Sequence, residues 1–150
     1  MKLTNNENGG FTDVVKLTAL ELIAIGNGGT KQIGSLPVGA AIELCGVVNT
    51  VDIVGSSSLV IDIGTTISDP DEFIDALDVD VMTVGLPTYN TGVSFVQTAG
   101  NTTIEGGSKP VKPVSAVTPI YIKVTDAAIA SITAGEIVIG MRILDLGRFA

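Results

Sequence analysis

The chain has no histidine, no tryptophan and a single cysteine among its 150 residues. Histidine is the only side chain whose ordinary pKa lets its charge change close to neutral pH, so the commonest acid–base catalyst is missing. A cysteine–histidine nucleophile pair is impossible for the same reason. The lone thiol, Cys45, excludes an internal disulfide framework. We therefore expect a protein that is not an enzyme, uses no cofactor and acts through its surfaces.

Basic residues are scarce as well. Eight lysines and arginines stand against sixteen acids, which gives a net charge of −8, and no basic residue lies between Lys31 and Lys109. Nucleic-acid binding depends on lysine and arginine to neutralise phosphates, and anionic membrane surfaces attract the same residues. We expect neither kind of partner. The polar N-terminus lacks a signal-peptide core, and Glu43 with several glycines interrupts the longest apolar stretch. We therefore expect synthesis in a cytoplasm and no membrane span.

Apolar residues are abundant. They form 45% of the chain, aromatic residues form only 4%, and 18 glycines punctuate the apolar runs. The mean hydropathy of +0.51 is high for a soluble monomer. Because exposed apolar surface usually marks a contact site, we expect part of it to be buried between subunits. The length predicts one domain, over residues 11–146, between a flexible arm at 1–10 and a tail at 147–150.

Strand signals recur between turn residues along most of the chain. The strongest are at residues 40–54, 59–63 and 136–146. We predict further strands at residues 12–25, 31–35, 79–86, 93–98, 102–105 and 117–124, although residues 19–24 also fit a helix and residues 31–35 also fit a connector. Pro119 predicts an edge strand or a bulge. The pattern is typical of an all-β fold, a β-sandwich or jelly-roll-like barrel of about eight strands with one short helix.

The short helix is predicted at residues 69–77. Asp69 fits an N-cap, Pro70 fits the first helical position, and Glu72 completes a capping box. Seven carboxylates lie within residues 62–80, and Asp69, Asp71 and Glu72 are the candidate ligands if a calcium ion binds there. Phe73 occupies the third ligand position of an EF-hand, so the spacing fails that test. We favour a capped helix with a solvated acidic face and predict no metal.

Four segments together resemble small capsid decoration (cement) proteins of tailed bacteriophages. They are residues 32–40 with a Leu-Pro-x-Gly turn, residues 55–64 with a strand ending in glycine, the Asp-Pro segment at 69–73, and residues 133–140. The resemblance implies a β-sandwich that assembles as a homotrimer and binds the major capsid protein on the outside of the virion. It implies no catalytic residues, and assembly after synthesis in the host cytoplasm.

Four side chains are candidate interface residues because aromatic residues and arginine dominate interface energetics. They are Phe11, Arg142, Arg148 and Phe149. For the two chain ends the alternative is simple disorder. Two other functions stay open at this point. One is a tail tube or fibre subunit, which would also self-associate through β-rich surfaces, and the other is a small glycan-binding β-module.

Overall fold

The computed structural model describes residues 10–95 and 113–150. This part of the chain holds eight strands and one α-helix. In chain order they are β1 (Asp13–Thr18), α1 (Ala19–Ile25), β2 (Gly29–Leu36), β3 (Ala40–Val54), β4 (Val60–Gly64), β5 (Ile74–Asp78), β6 (Thr88–Tyr89), β7 (Thr118–Thr125) and β8 (Ala134–Asp145). Three 3-10 turns lie at Val79–Val81, Ile129–Ser131 and Gly147–Phe149.

The strands form two four-stranded antiparallel sheets, in the orders β1-β8-β3-β6 and β2-β7-β4-β5. Side chains alternate between the two faces of a strand. In β8, Ile137, Ile139 and Met141 are fully buried, and in β7 Ile120 and Ile122 are too. These inward rows belong to one hydrophobic cluster. The fold is therefore an all-β sandwich, as the composition and the turn spacing predict.

The single helix does not lie where the capping signals predict it. Residues 74–78 form β5, which pairs with β4. A helix at residues 69–77 would need the carbonyls of Glu72 and Phe73 for its own hydrogen bonds. These carbonyls instead accept hydrogen bonds from the amides of Ser94 and Gly92, at 2.9 Å each. The helix is α1, where the carboxylate of Glu21 accepts a 2.8 Å hydrogen bond from the Thr18 amide. The strand predicted at residues 12–25 therefore ends at Thr18, and the helical alternative for residues 19–24 is confirmed.

One further strand prediction is wrong, and another is confirmed but not at the predicted edge. Residues 79–86 begin with a 3-10 turn, because the Asp78 carboxylate accepts a 3.0 Å hydrogen bond from the Asp80 amide. The strand that holds Pro119 is present as β7, which lies between β2 and β4 and so is not at an edge, while the register of its pairing with β2 shifts between Gln32 and Gly34, which is consistent with the bulge alternative. Pro119 is tolerated there because it pairs only with Ser35 of β2, and the pairing with β4 starts at Tyr121.

The predictions for the N-terminal arm and for one hairpin fall mostly outside the described residues. Residues 1–9 of the predicted arm lie outside the described residues, and so does most of the hairpin predicted at 93–98 and 102–105. Residues 93–95 form a turn. The predicted tail folds back as the Gly147–Phe149 turn, and the Phe149 side chain stays 78% exposed.

Candidate interaction surface

The outer side of the β1-β8-β3-β6 sheet carries the most distinctive surface in the described chain. Four residues stand in register across it, with Val14 opposite Gly140, Gly140 opposite Gly46, and Gly46 opposite Tyr89. Because neighbours along the strands, such as Ile139, point into the core, this row must point outward. The row therefore places two adjacent glycines between a valine and a tyrosine.

The two glycines make room for a pair of aromatic rings. A Cβ added at Gly140 would come within 2.8 Å of the Phe11 ring, and one added at Gly46 would collide with the Tyr89 ring. The two ring centroids lie 6.4 Å apart and the ring planes differ by 15°. The rings thus lie close over the backbone of β8 and β3, which only residues without a side chain permit.

A groove of about 380 Å³ opens beside these rings, and apolar side chains line most of it. We call its apolar lining the outer apolar face, defined by Phe11, Val14, Val48, Tyr89 and Val138. Val14 is 45% exposed and Tyr89 46% exposed. Exposed apolar patches of this kind mark contact sites, whereas singly scattered apolar side chains do not.

Charged residues border this face in pairs. Lys16 Nζ lies 3.1 Å from a Glu136 carboxylate oxygen, and Thr50 donates a 2.5 Å hydrogen bond to the same carboxylate. The hydrogen bond from Thr50 and the contact with Lys16 lower the pKa of Glu136. Arg142 lies 3.6 Å from Glu43. A polar rim around an apolar centre is the usual anatomy of a protein interface.

The structure separates the four predicted interface residues into two places. Phe11 is part of the outer apolar face, and Arg142 lies beside it, where Nε donates a 3.1 Å hydrogen bond to the Gly10 carbonyl. Arg148 and Phe149 lie in the 3-10 turn that follows β8, with the guanidinium carbon 5.6 Å from the ring centroid.

The region around Arg148 and Phe149 also has apolar side chains on its surface. A Cβ added at Gly39 would lie 2.7 Å from the Cα of Gly147, so the β2–β3 turn packs closely against the chain after β8. Val38 and Leu146, the neighbours of these glycines, are exposed like Phe149. We call these three side chains the C-terminal apolar end. It gives the molecule a second exposed hydrophobic surface.

Sequence reasoning missed Tyr89, Val14 and Val138 as members of the outer apolar face. Strand periodicity places each valine on one side of a strand, but it does not say which side is covered. One signal was available, because Gly46 and Gly140 each interrupt an otherwise apolar strand. A glycine inside a strand often marks the close approach of another group.

The three candidate metal ligands do not form a cation site. Glu72 accepts a 2.8 Å hydrogen bond from the Thr65 amide and another from the Thr66 hydroxyl. Burial opposes ionisation of Glu72, but these bonds outweigh it and lower its pKa. Burial, Asp69 and Glu72 raise the pKa of Asp71. Within residues 10–95 and 113–150, no three acidic, cysteine or histidine residues are grouped so that they could hold a metal ion.

The surroundings of Cys45 and Asp126 indicate that both side chains stabilise the fold. Burial raises the pKa of the Cys45 thiol to about 12, so the reactive thiolate is scarce near neutral pH.

Asp126 is only 2% exposed. Its Oδ1 accepts hydrogen bonds from the Ser57 hydroxyl at 2.6 Å and the Ala128 amide at 2.9 Å. Its own amide donates to Asn27 Oδ1 at 3.0 Å.

Asp126 and three of its hydrogen-bond partners therefore connect three loops at one end of the sandwich, and we call these four residues the Asp126 loop cluster (Asn27, Ser57, Asp126 and Ala128). Burial would raise the pKa of Asp126. The hydrogen bonds from Ser57 and Ala128 outweigh this effect and lower it. An ionised carboxylate held by donors in this way stabilises loops and lacks a neighbouring base for catalysis in this cluster.

In the part of the chain that the structure describes, no helix has the length and apolar character needed to cross a membrane. Comparison with protein-family models, with curated proteins and with solved structures finds no match for this chain.

Proposed function

We propose that this chain is a capsid decoration (cement) protein of a tailed bacteriophage. It assembles as a homotrimer and binds the major capsid protein on the outer surface of the shell, which it stabilises. The single observation that carries the proposal is the outer apolar face, an exposed hydrophobic groove with two aromatic rings and a polar rim. Aromatic anchors of this type supply most of the binding energy at protein interfaces.

The pairing of the strands supports a jelly roll as the specific form of the sandwich. β1 pairs with β8, β2 with β7, β3 with β6 and β4 with β5. This is the pairing of one long antiparallel ribbon that doubles back between β4 and β5. Wrapping the ribbon then brings β8 beside β3 and β7 beside β4. Eight strands in two sheets with such connections are typical of a jelly roll, which occurs in viral capsid proteins.

The two apolar surfaces support two kinds of contact. We assign the outer apolar face to the shell and the C-terminal apolar end to the contact between subunits. The aromatic ring of Phe149 is 78% exposed, and its neighbour Arg148 is the other residue type enriched at interface centres. The net charge of −8 keeps the free protein soluble.

The test uses capsid shells that lack the protein and two matched variants. Val14→Glu places a charge in the outer apolar face, and Ile67→Glu does the same at a site in the β4–β5 loop of the other sheet. The two positions are 45% and 57% exposed, so neither change disturbs the core. We expect Val14→Glu to weaken shell binding by about tenfold or more and Ile67→Glu to leave it unchanged. Failure of the wild-type protein to bind or stabilise shells would refute the proposal.

The assignment of the second surface is tested separately. Phe149→Ser is expected to convert the trimer into monomers in analytical ultracentrifugation, because it removes the largest exposed apolar side chain at the C-terminal apolar end. Val14→Glu is expected to stay trimeric. The reverse pattern would show that the two surfaces have been assigned the wrong way round. Stacked rings or fibres of the wild-type protein would favour a tail tube or fibre subunit.

A glycan-binding β-module is the second candidate function, and the ring pair of Phe11 and Tyr89 favours it. Two nearly parallel rings beside a groove offer apolar faces to sugar C–H groups, and tyrosine adds a polar hydroxyl. This candidate predicts that a glycan panel raises the melting temperature of the wild-type protein and leaves Tyr89→Ala unaffected. A panel without any shift for the wild type would remove it.

A further inference from the structure

The turn between α1 and β2 contains the dipeptide Asn27–Gly28, and Asn27 is exposed to water. We propose that Asn27 is a deamidation site whose reaction the fold suppresses. In this reaction the Gly28 nitrogen attacks the side-chain carbonyl carbon of Asn27 and ammonia leaves. Water then opens the resulting succinimide to aspartate or isoaspartate. Glycine favours the attack because it has no side chain to hinder its nitrogen.

Both reacting groups are engaged in hydrogen bonds to other parts of the chain. The Gly28 amide donates to the Val124 carbonyl at 2.7 Å. The Asn27 side-chain oxygen accepts from the Asp126 amide at 3.0 Å. The turn itself is closed by a 3.0 Å hydrogen bond from Gly29 to Gly26. Attack therefore requires a local opening in which the bonds of Asn27 and Gly28 break together.

The product would not fit the loop as the asparagine does. Isoaspartate adds a carbon to the main chain within a tightly closed turn, and either product adds a negative charge at the side chain that accepts the hydrogen bond from the Asp126 amide. Deamidation would thus loosen the Asp126 loop cluster, and its products would accumulate with the time that the loop spends open. This inference does not depend on the proposed function.

The sequence permits a direct measurement by peptide mapping. Cleavage at Lys16 and Lys31 releases residues 17–31, in which Asn27 is the only asparagine. The intact protein is incubated at mildly alkaline pH with and without urea, and the aspartate and isoaspartate forms are quantified over time. We expect deamidation in the native protein to be about tenfold slower or more, because two hydrogen bonds have to open first. Equal rates with and without urea would overturn the proposal.

A pair of serine variants tests the role of the Asp126 loop cluster without unfolding the protein. Ser57→Ala removes the 2.6 Å hydrogen bond to Asp126, so the loops open more often and Asn27 is expected to deamidate faster under native conditions. Ser68→Ala is the control, since Ser68 is exposed beyond the opposite end of β4. Identical Asn27 rates in the two variants would contradict the assigned role of the loop cluster.

Discussion

Replacing Asp126 with alanine is expected to lower the free energy of unfolding by about 3 kcal/mol. Two short hydrogen bonds, from the Ser57 hydroxyl and the Ala128 amide, lose their acceptor. A hydrogen bond to a charged group contributes about 1.5–3 kcal/mol. Two such bonds together would contribute about 3–6 kcal/mol. Because Ser57 is exposed, water compensates for part of its lost hydrogen bond, so we expect a loss near the lower end of this range. Asp126→Asn keeps an oxygen acceptor, and we expect about half the effect.

Urea unfolding at several pH values measures both variants. The pKa of Asp126 is lower in the folded protein than in the unfolded chain, so its carboxylate stabilises the fold fully above the unfolded pKa. This contribution falls as the pH drops through the folded pKa. The stability difference between the wild type and Asp126→Asn should therefore be constant near neutral pH and shrink below about pH 4. An Asp126→Ala protein within about 0.5 kcal/mol of the wild type at pH 7 would refute the reasoning.

Two further predictions concern the backbone, at Gly46 and at Ala76. Gly46→Ala places a methyl group against the Tyr89 ring. We expect it to lower the free energy of unfolding, measured with urea, by about 1 kcal/mol and to alter tyrosine fluorescence. Gly34→Ala is the control, because its Cβ would lie 3.6 Å from its nearest neighbours, and it should cause neither change. Equal stability and fluorescence of the two variants would contradict the placement of the Tyr89 ring over Gly46. Ala76 has a φ of +47°, a conformation that is less costly for glycine. Ala76→Gly should therefore raise the free energy of unfolding by about 1 kcal/mol and the melting temperature with it. A lower melting temperature would contradict this prediction.

Strands whose pattern is set by burial could be predicted from the sequence. The prediction for residues 40–54 coincides with β3 (Ala40–Val54), and residues 136–146 overlap nearly all of β8. The turn at Leu36–Gly39 is also confirmed, since Ala40 donates a 3.0 Å hydrogen bond to the Pro37 carbonyl. Long runs of β-branched residues between glycine and proline turns leave few alternatives to a buried strand.

Elements whose conformation depends on distant partners could not be predicted. The capping signals at Asp69 and Glu72 are real local preferences, but hydrogen bonds from residues 92–94 take the carbonyls that a helix needs. The outer apolar face has the same origin, because Phe11 and Tyr89 meet only through the pairing of β8 and β3. Local propensity is a weak prior, and tertiary contacts often override it.

The most direct test of the proposed function is a cryo-electron microscopy map of virions that contain this protein. We predict trimeric density on the outer surface of the head, with Phe11 and Tyr89 turned toward the major capsid protein. Density for this sandwich in the rings of a tail tube, in a fibre, or nowhere on the particle would contradict the account.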